Sequence, residues 1–524
     1  MAENKYGHIP QEMFEFANHG ERITDKKFDD KPIGYFRDAW IRFCRNKASI
    51  IAAIIIVIIV LFAFLTPLLN FRYDATFMDT YYQKMGPRNL TLAQIGVADG
   101  STSRKFTEKG LIAMYAIGMG ALDYDGHGVK LSEAIDSEYQ PIRENYGLNG
   151  DPDNAQSRYE ARVDTYLAVG FLSISIERSE YDKIVAWEKE TGKHVLFPLI
   201  EDNEYHPGEA ATSYANYWYK ANAKYQPLRT TSAGTTRRIE LSDDMVLEDN
   251  YKRDENGNLK YYEYTGGGDQ DTAMYKVRVL YYNYYQYKNG FEPEYIFGTD
   301  SQGYDMALRL SQGVRLSLLV SICVSLINFI IGAVYGAIEG YYGGVTDLIM
   351  ERISDILSGV PFIVVATLFQ IHLAQKAGPI LSLLFAFVLT GWIGTASLVR
   401  TQFYRFKNQE YVMAARTLGA KDGRIILKHI FPNSLGTMIT SSVLVIPGVI
   451  FSESMLSYLG IVKLGGAETT SLGTLLSDAS SIWTDYPHLM LFPALIISLL
   501  MISFNLFGNG LRDAFNPSLR GVEE

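Results

Sequence analysis

The sequence predicts an α-helical membrane protein of six transmembrane helices, with an α+β extracellular domain inserted between helices 1 and 2. Three observations carry this. Six stretches are apolar over about the 20 residues that a helix needs to cross a bilayer. The segment 70–305 is far longer than a connecting loop. Basic residues gather in the segments that six crossings would leave on one side.

The N-terminal segment 1–47 ends in a basic stretch, Lys31, Arg37, Arg42, Arg45 and Lys47 against Asp38. The first span follows at 48–69, with IIAAIIIVIIVLFAFL at its centre. Its length and the polar segment before it distinguish it from a signal peptide. Five more spans are expected at Leu316–Ile338, Asp355–Ala374, Pro379–Val399, Thr437–Tyr458 and His488–Leu511. The third is the least apolar, because it contains Gln370 and His372. The segment 400–436 carries Arg400, Arg405, Lys407, Arg416, Lys421, Arg424 and Lys428 against Glu410 and Asp422. Six spans then place segment 1–47, this loop and the tail 516–524 in the cytoplasm, and 70–305 outside. The last five spans form a membrane core over 306–515.

A net charge of −10 argues against a nucleic-acid partner. The two cysteines, Cys44 and Cys323, imply neither a disulfide framework nor a thiolate metal site.

The insertion has secondary structure of its own. FLSISIER (Phe171–Arg178) alternates as a strand does. SEYDKIVAWEKETG (Ser179–Gly192) reads as a helix capped at Ser179 and stopped at Gly192. HVLFPLI is a further strand, and YKVRVLYYNYYQYKNG (Tyr275–Gly290) is a Tyr-rich, β-branched run that ends on an Asn-Gly turn signal. The region holds 27 of the chain's 36 tyrosines, which either pack a core or offer a binding face. DYDGHGVKLSE (Asp123–Glu133) begins like a calcium loop, with Asp123, Asp125 and a Gly at position six. His127 at position five and Glu133 at position eleven depart from that pattern, so no metal is expected and Asp123 and Asp125 stand only as a calcium candidate. His127, His194 and His206 form no ligand spacing and no triad.

Within the basic loop, EYVMAARTLGAKDGRIILKHIFPN reads as two short helices. The first covers Glu410–Leu418, and Gly419 makes the turn. Asp422 caps the second, Ile425, Ile426 and Ile430 give it an apolar face, and Pro432 stops it. Short helices are marginal alone. They either dock on a partner or lie on anionic lipid headgroups.

Met-Ala-Ala-x-x-x-Gly at Met413–Gly419, nine residues, then His-Ile-Phe-Pro at His429–Pro432, resembles the EAA loop of ABC importer permeases. Met413 stands where that pattern has Glu, His429 where it has Ile, and Phe431 where it has Leu. RDAWIRFCRNKASI (Arg37–Ile50), FGTDSQGYDMALRLSQGVRLSLLV (Phe297–Val320), SESMLSYLGI and SFNLFGNGLRDAFNPSLR extend the likeness. Together they resemble the C-type permease subunit of dipeptide and oligopeptide importers, over roughly 37–70 and 297–520. LGGAETTSLGTLL (Leu464–Leu476) lacks the family's Pro-rich run, and the insertion is absent from its short members.

The resemblance implies a MetI-like ABC permease core. It implies that Met413, Ala414, Ala415, Arg416, Gly419 and Ala420 couple to an ATPase subunit, with Pro432 closing the loop. ATP and Mg would be bound by two partner ATPase subunits, since this sequence has no phosphate-binding P-loop. A second permease subunit, an external substrate-binding protein and membrane lipid complete the implied partners, in a bacterial or archaeal cytoplasmic membrane. The chain itself is expected not to be an enzyme. Nickel chelates or other small solutes are the alternative cargo; a secondary transporter or membrane-anchored sensor is the alternative class. Intramembrane polar residues Asp355, Gln370, His372, Glu453 and Asn505 either pair structurally or line the pathway.

Overall fold

The computed structural model describes residues 34–70, 72–74, 76–126, 128–150, 158–200, 228–230, 236–238, 251–267, 272–464 and 469–515. Segment 1–33, the tail 516–524, His127 and His206 lie outside the described residues. Helix α1 (Tyr35–Arg45) carries Arg37, Arg42 and Arg45 of the basic stretch. Asn46 then accepts from the N–H groups of Ala48 and Ser49 and caps the spanning helix α2 (Lys47–Leu69).

The insertion folds around two larger antiparallel sheets, with a separate two-strand pairing of Leu228–Thr230 and Thr236–Arg238. In the first, β1 (Ser101–Phe106), β2 (Ile142–Asn149) and β3 (Arg158–Asp164) lie in the order β1-β3-β2. Helix α3 (Glu108–Leu122) buries Leu111, Ile112, Ala116 and Met119 against Ala161 and Val163 of that sheet. The second contains β4 (Phe171–Glu177), β5 (Leu196–Phe197), β6 (Tyr262–Gly266) and β7 (Met274–Leu280), and β7 pairs with the other three. The expected helix after β4 is α4 (Arg178–Thr191), which starts two residues before a Ser179 cap would start it. Ser179 does not cap it; its hydroxyl bonds Glu177.

One assignment changes type. The Tyr-rich run leaves β7 at Leu280 and continues as helix α5 (Tyr281–Asn289), closed by Gly290 at φ +77°. Tyr281 and Tyr285, one helical turn apart, both enter the core, and this burial overrides their strand propensity. Tyr73, Tyr82, Tyr166 and Tyr295 join them. Tyr73 and Tyr295 stack at 4.4 Å, and the Tyr285 hydroxyl bonds that of Tyr73 at 3.1 Å. These tyrosines are core, not a binding face.

The insertion is keyed into the bundle at Phe297–Asp305. Thr299 accepts from the Met85 N–H at 2.8 Å and donates to the Tyr82 carbonyl at 2.6 Å. Asp300 accepts from the N–H groups of Gln302, Gly303 and Tyr304 and from buried Arg309 at 3.2 Å. Gly303, at φ +98°, lies against the Asp79 backbone so closely that no Cβ fits. Asp305 then caps helix α6 (Met306–Tyr342), accepting from the Ala307 N–H at 2.8 Å.

The remaining helices of eight or more residues are α7 (Gly344–Ser358), α8 (Phe362–His372), α9 (Pro379–Gly391), α10 (Ile393–Phe406), α11 (Glu410–Thr417), α12 (Phe431–Tyr458), α13 (Leu472–Ala479) and α14 (Pro487–Phe515). Among the described residues, five helices are long and apolar enough to cross a membrane, with α9 and α10 counted as one. The third expected span is not one straight helix. It is α7 and α8, bent by 72° at Gly359–Pro361, where proline has no N–H to continue the helix. Helices α6 and α10 approach closely because Gly332, Gly336 and Gly340 form a small-residue stripe. A Cβ on Gly332 would meet Thr395 at 2.7 Å, and one on Gly340 would meet Phe403 at 2.7 Å.

Candidate functional site

The basic loop between α10 and α12 has a buried root and an exposed crest. Val412 of α11, with Ile425 and Ile430, is fully buried against Val399 and Phe403 of α10 and Tyr341 of α6. On the other side Met413 is 52% exposed, Leu427 67% and Leu418 88%. Gly419, at φ +81°, turns the chain with open space around it. Ala414 and Arg416 are exposed, and Ala415 and Ala420 are half-buried. Met413, Ala414, Ala415 and Arg416 lie on α11, and Gly419 and Ala420 follow it in the turn; Leu418 and Leu427 are exposed apolar side chains that the motif did not mark.

Two details of the loop differ from expectation. Asp422 does not cap the second helix; it is the first helical residue, and its carboxylate accepts from the Tyr341 hydroxyl at 2.6 Å. Pro432 does not end the loop. A π-helical turn at Ile425–Ile430 runs straight into α12, so that 422–458 is one helical span. Wider i→i+5 bonding just before Pro432 accommodates a ring that would clash in a regular α-helix.

Tyr341 also accepts from Arg416 at 3.3 Å, so a residue of α6 holds both arms of the loop. Nearby, Arg400 of α10 donates to Asp347 at 2.6 and 2.9 Å and to Glu351 at 3.0 and 3.2 Å, tying α10 to α7. Lys407 donates to the Gly340 carbonyl at 3.0 Å. Sequence reasoning missed Tyr341 and this clamp. The i, i+4, i+8 glycines of α6 were the available signal that α6 and α10 meet.

The intramembrane polar candidates do not converge. Glu453 is buried and accepts from Ser317 and Ser457 at 3.0 Å each, a structural pairing. Gln370 donates to the Pro379 carbonyl at 3.0 Å, and Asn505 to the Met501 carbonyl of its own helix at 2.8 Å. His372 is exposed at the end of α8, and Asp355 pairs with Arg352 on the surface. In the calcium-like run, Asp123 is buried and accepts from the Gly128 N–H, while Asp125 is exposed. No metal-ligating group of three side chains occurs among the described residues.

Residues 329–521 match the family model of the binding-protein-dependent transport system inner membrane component. Residues 34–87 match the N-terminal TM domain of oligopeptide transport permease C. The oligopeptide transport system permease protein OppC of Bacillus subtilis (strain 168) is 41% identical over 224 residues, 43% of this chain and 72% of that protein. The chain belongs to the OppC/DppC permease family. The dipeptide transport system permease protein DppC of the same organism is 42% identical over 225 residues, 43% of this chain and 69% of the relative. OppC of Escherichia coli (strain K12) is 40% identical over 230 residues, 44% and 74% of the two chains. A solved structure of the MetNI methionine ABC transporter, inward facing, aligns with a TM-score of 0.33 and 16% identity over 40% of this chain and 97% of that one. That likeness is too slight to carry a structural conclusion. This OppC/DppC-family permease is thus a multi-pass membrane protein whose two matched regions flank most of the insertion.

Proposed function

We propose that this permease forms half of the translocation pathway of an ATP-driven importer for oligopeptides or dipeptides. Its loop 410–430 receives a cytoplasmic ATPase subunit. The observation that carries the loop reading is an exposed apolar crest, Met413, Leu418 and Leu427, standing on a fully buried root. A segment that only transmits force needs that combination: a docking face outside and a rigid seat inside. The relatives named as oligopeptide and dipeptide permeases support the cargo class.

A second permease subunit supplies the other half of the pathway, and two ATPase subunits hold ATP and Mg. Loop, α1 and tail face the cytoplasm. The insertion lies outside, where it meets an external substrate-binding protein.

Purification of the tagged chain from native membranes in mild detergent, with partners identified by mass spectrometry, tests this. A second permease and ATPase subunits should copurify. Ala415→Arg or Gly419→Val should leave the chain inserted and abolish peptide-stimulated ATP hydrolysis. A chain that comes out alone, or variants with undiminished uptake, would overturn the reading.

A further inference from the structure

Helix α1 ends at Arg45, Asn46 breaks the backbone at ψ 103°, and the spanning helix α2 begins at Lys47. A lysine is costly in hydrocarbon, so Lys47 fixes the level at which the span leaves the bilayer core. Helix α1, one residue away, therefore lies at headgroup depth. It is also held there. Ala39 and Phe43 are buried beside Phe507, Leu511 and Phe515 of α14, and the Phe43 ring meets that of Phe507 edge-on at 5.3 Å.

Helical spacing puts Trp40 on the flank of this buried side and Arg37, Cys44 and Arg45 opposite. Trp40 stacks on Phe43 at 5.9 Å yet is 63% exposed. Arg37, Arg45 and Lys47 are exposed and make no ion pair among the described residues. Asp38, the one acidic residue of α1, pairs with Arg42. An exposed indole beside unpaired cations, at the edge of a bilayer, needs an occupant that suits both. Lipid takes the ring in its interfacial zone, where tryptophan concentrates. Anionic headgroups take the cations and leave them hydrated, whereas a protein covering α1 would have to bury them. Ile51 and Ile54, exposed in the first turns of α2, begin the lipid-facing surface beside it.

We infer that α1 is an interfacial helix that binds anionic phospholipid of the leaflet in which α2 begins, with Trp40 seated among the lipids and Arg37, Arg45 and Lys47 on their phosphates. Through Phe43 and Phe507, the bound lipid would steady the C-terminal foot of α14.

The test uses the full-length chain with Cys323→Ser, so that Cys44, exposed on α1, is its single thiol and carries a neutral bimane label. The chain is placed in phosphatidylcholine nanodiscs with equal fractions of either brominated phosphatidylglycerol or brominated phosphatidylcholine. Quenching by the phosphatidylglycerol should be about three-fold stronger. Raising salt to about 0.5 M should cut that preference roughly in half. Arg37→Gln with Arg45→Gln should bring the two lipids level. Arg352→Gln, at an exposed arginine of α7 already paired with Asp355, should leave the preference unchanged. Trp40→Gln should weaken quenching by both lipids about two-fold. The melting temperature of each variant reports its folding. Equal quenching by the two lipids without any of these substitutions would overturn the headgroup site. No quenching by either would mean that protein covers α1, and would overturn the membrane reading.

Discussion

The hydroxyl of Tyr341 donates to the carboxylate of Asp422 at 2.6 Å, so the C-terminal end of α6 grips the candidate coupling loop. The N-terminal end of the same helix is capped by Asp305 inside the joint with the insertion. At 37 residues, α6 is about 55 Å of continuous helix between those two contacts.

Tyr341→Phe should therefore loosen the loop without unfolding the bundle. The lost bond to a charged acceptor corresponds to about 1.5–3 kcal/mol locally. Membrane expression should be unchanged, and peptide-stimulated ATP hydrolysis should fall several-fold. Equal stimulation in purified wild type and variant would remove Tyr341 from the coupling path.

Crest and root should respond differently. Leu418 is almost wholly exposed, so Leu418→Asp should leave thermal stability within about 0.5 kcal/mol while reducing ATPase-subunit copurification. Ile425 is fully buried, so Ile425→Ala should cost about 2–5 kcal/mol through the cavity it leaves. Thermal unfolding read beside copurification separates the two; parallel losses would mean that the crest is structural.

Gly336→Val should separate α6 from α10, because its side chain would enter the Ala396 carbonyl. The detergent-solubilised chain should lose several degrees of melting temperature. Gly394, on α10 with open space around it, is the control, and Gly394→Ala should be neutral or stabilising.

Burial pushes the Asp305 carboxyl up to about 6, against an ordinary value of 3.8. Folded protein then holds this proton over a window where the unfolded chain has released it. The group's contribution to stability is full below about 3.8 and is lost as pH rises through about 6. Burial shifts Asp79 in the same direction, against hydrogen bonds from Tyr281. Asn caps a helix as well as Asp does, so Asp305→Asn should flatten this slope. Hydrogen exchange at 297–309 between about pH 4 and pH 7 would show it, and identical slopes in wild type and variant would refute the assignment.

Much of this was readable from residue order. The span at 48–69 needed only its length of hydrocarbon. The Gly-Val-Pro sequence at Gly359–Pro361 is itself a helix-breaking signal. Pro432 misled because a preceding π-helical turn, which depends on packing, makes room for its ring.

Residue order alone settles what each segment is able to be: six stretches able to sit in lipid, a polar insertion, a loop built around a small-residue turn. Those properties depend on local composition and spacing, and every segment carries them wherever it lies. Packing alone settles that the tyrosines of α5 turn inward as a helix, that Tyr341 meets Asp422 across 81 positions of chain, and that Met413, Leu418 and Leu427 stay exposed while Val412, Ile425 and Ile430 are buried. These are contacts between distant segments, and their free energy exists only once the helices have packed.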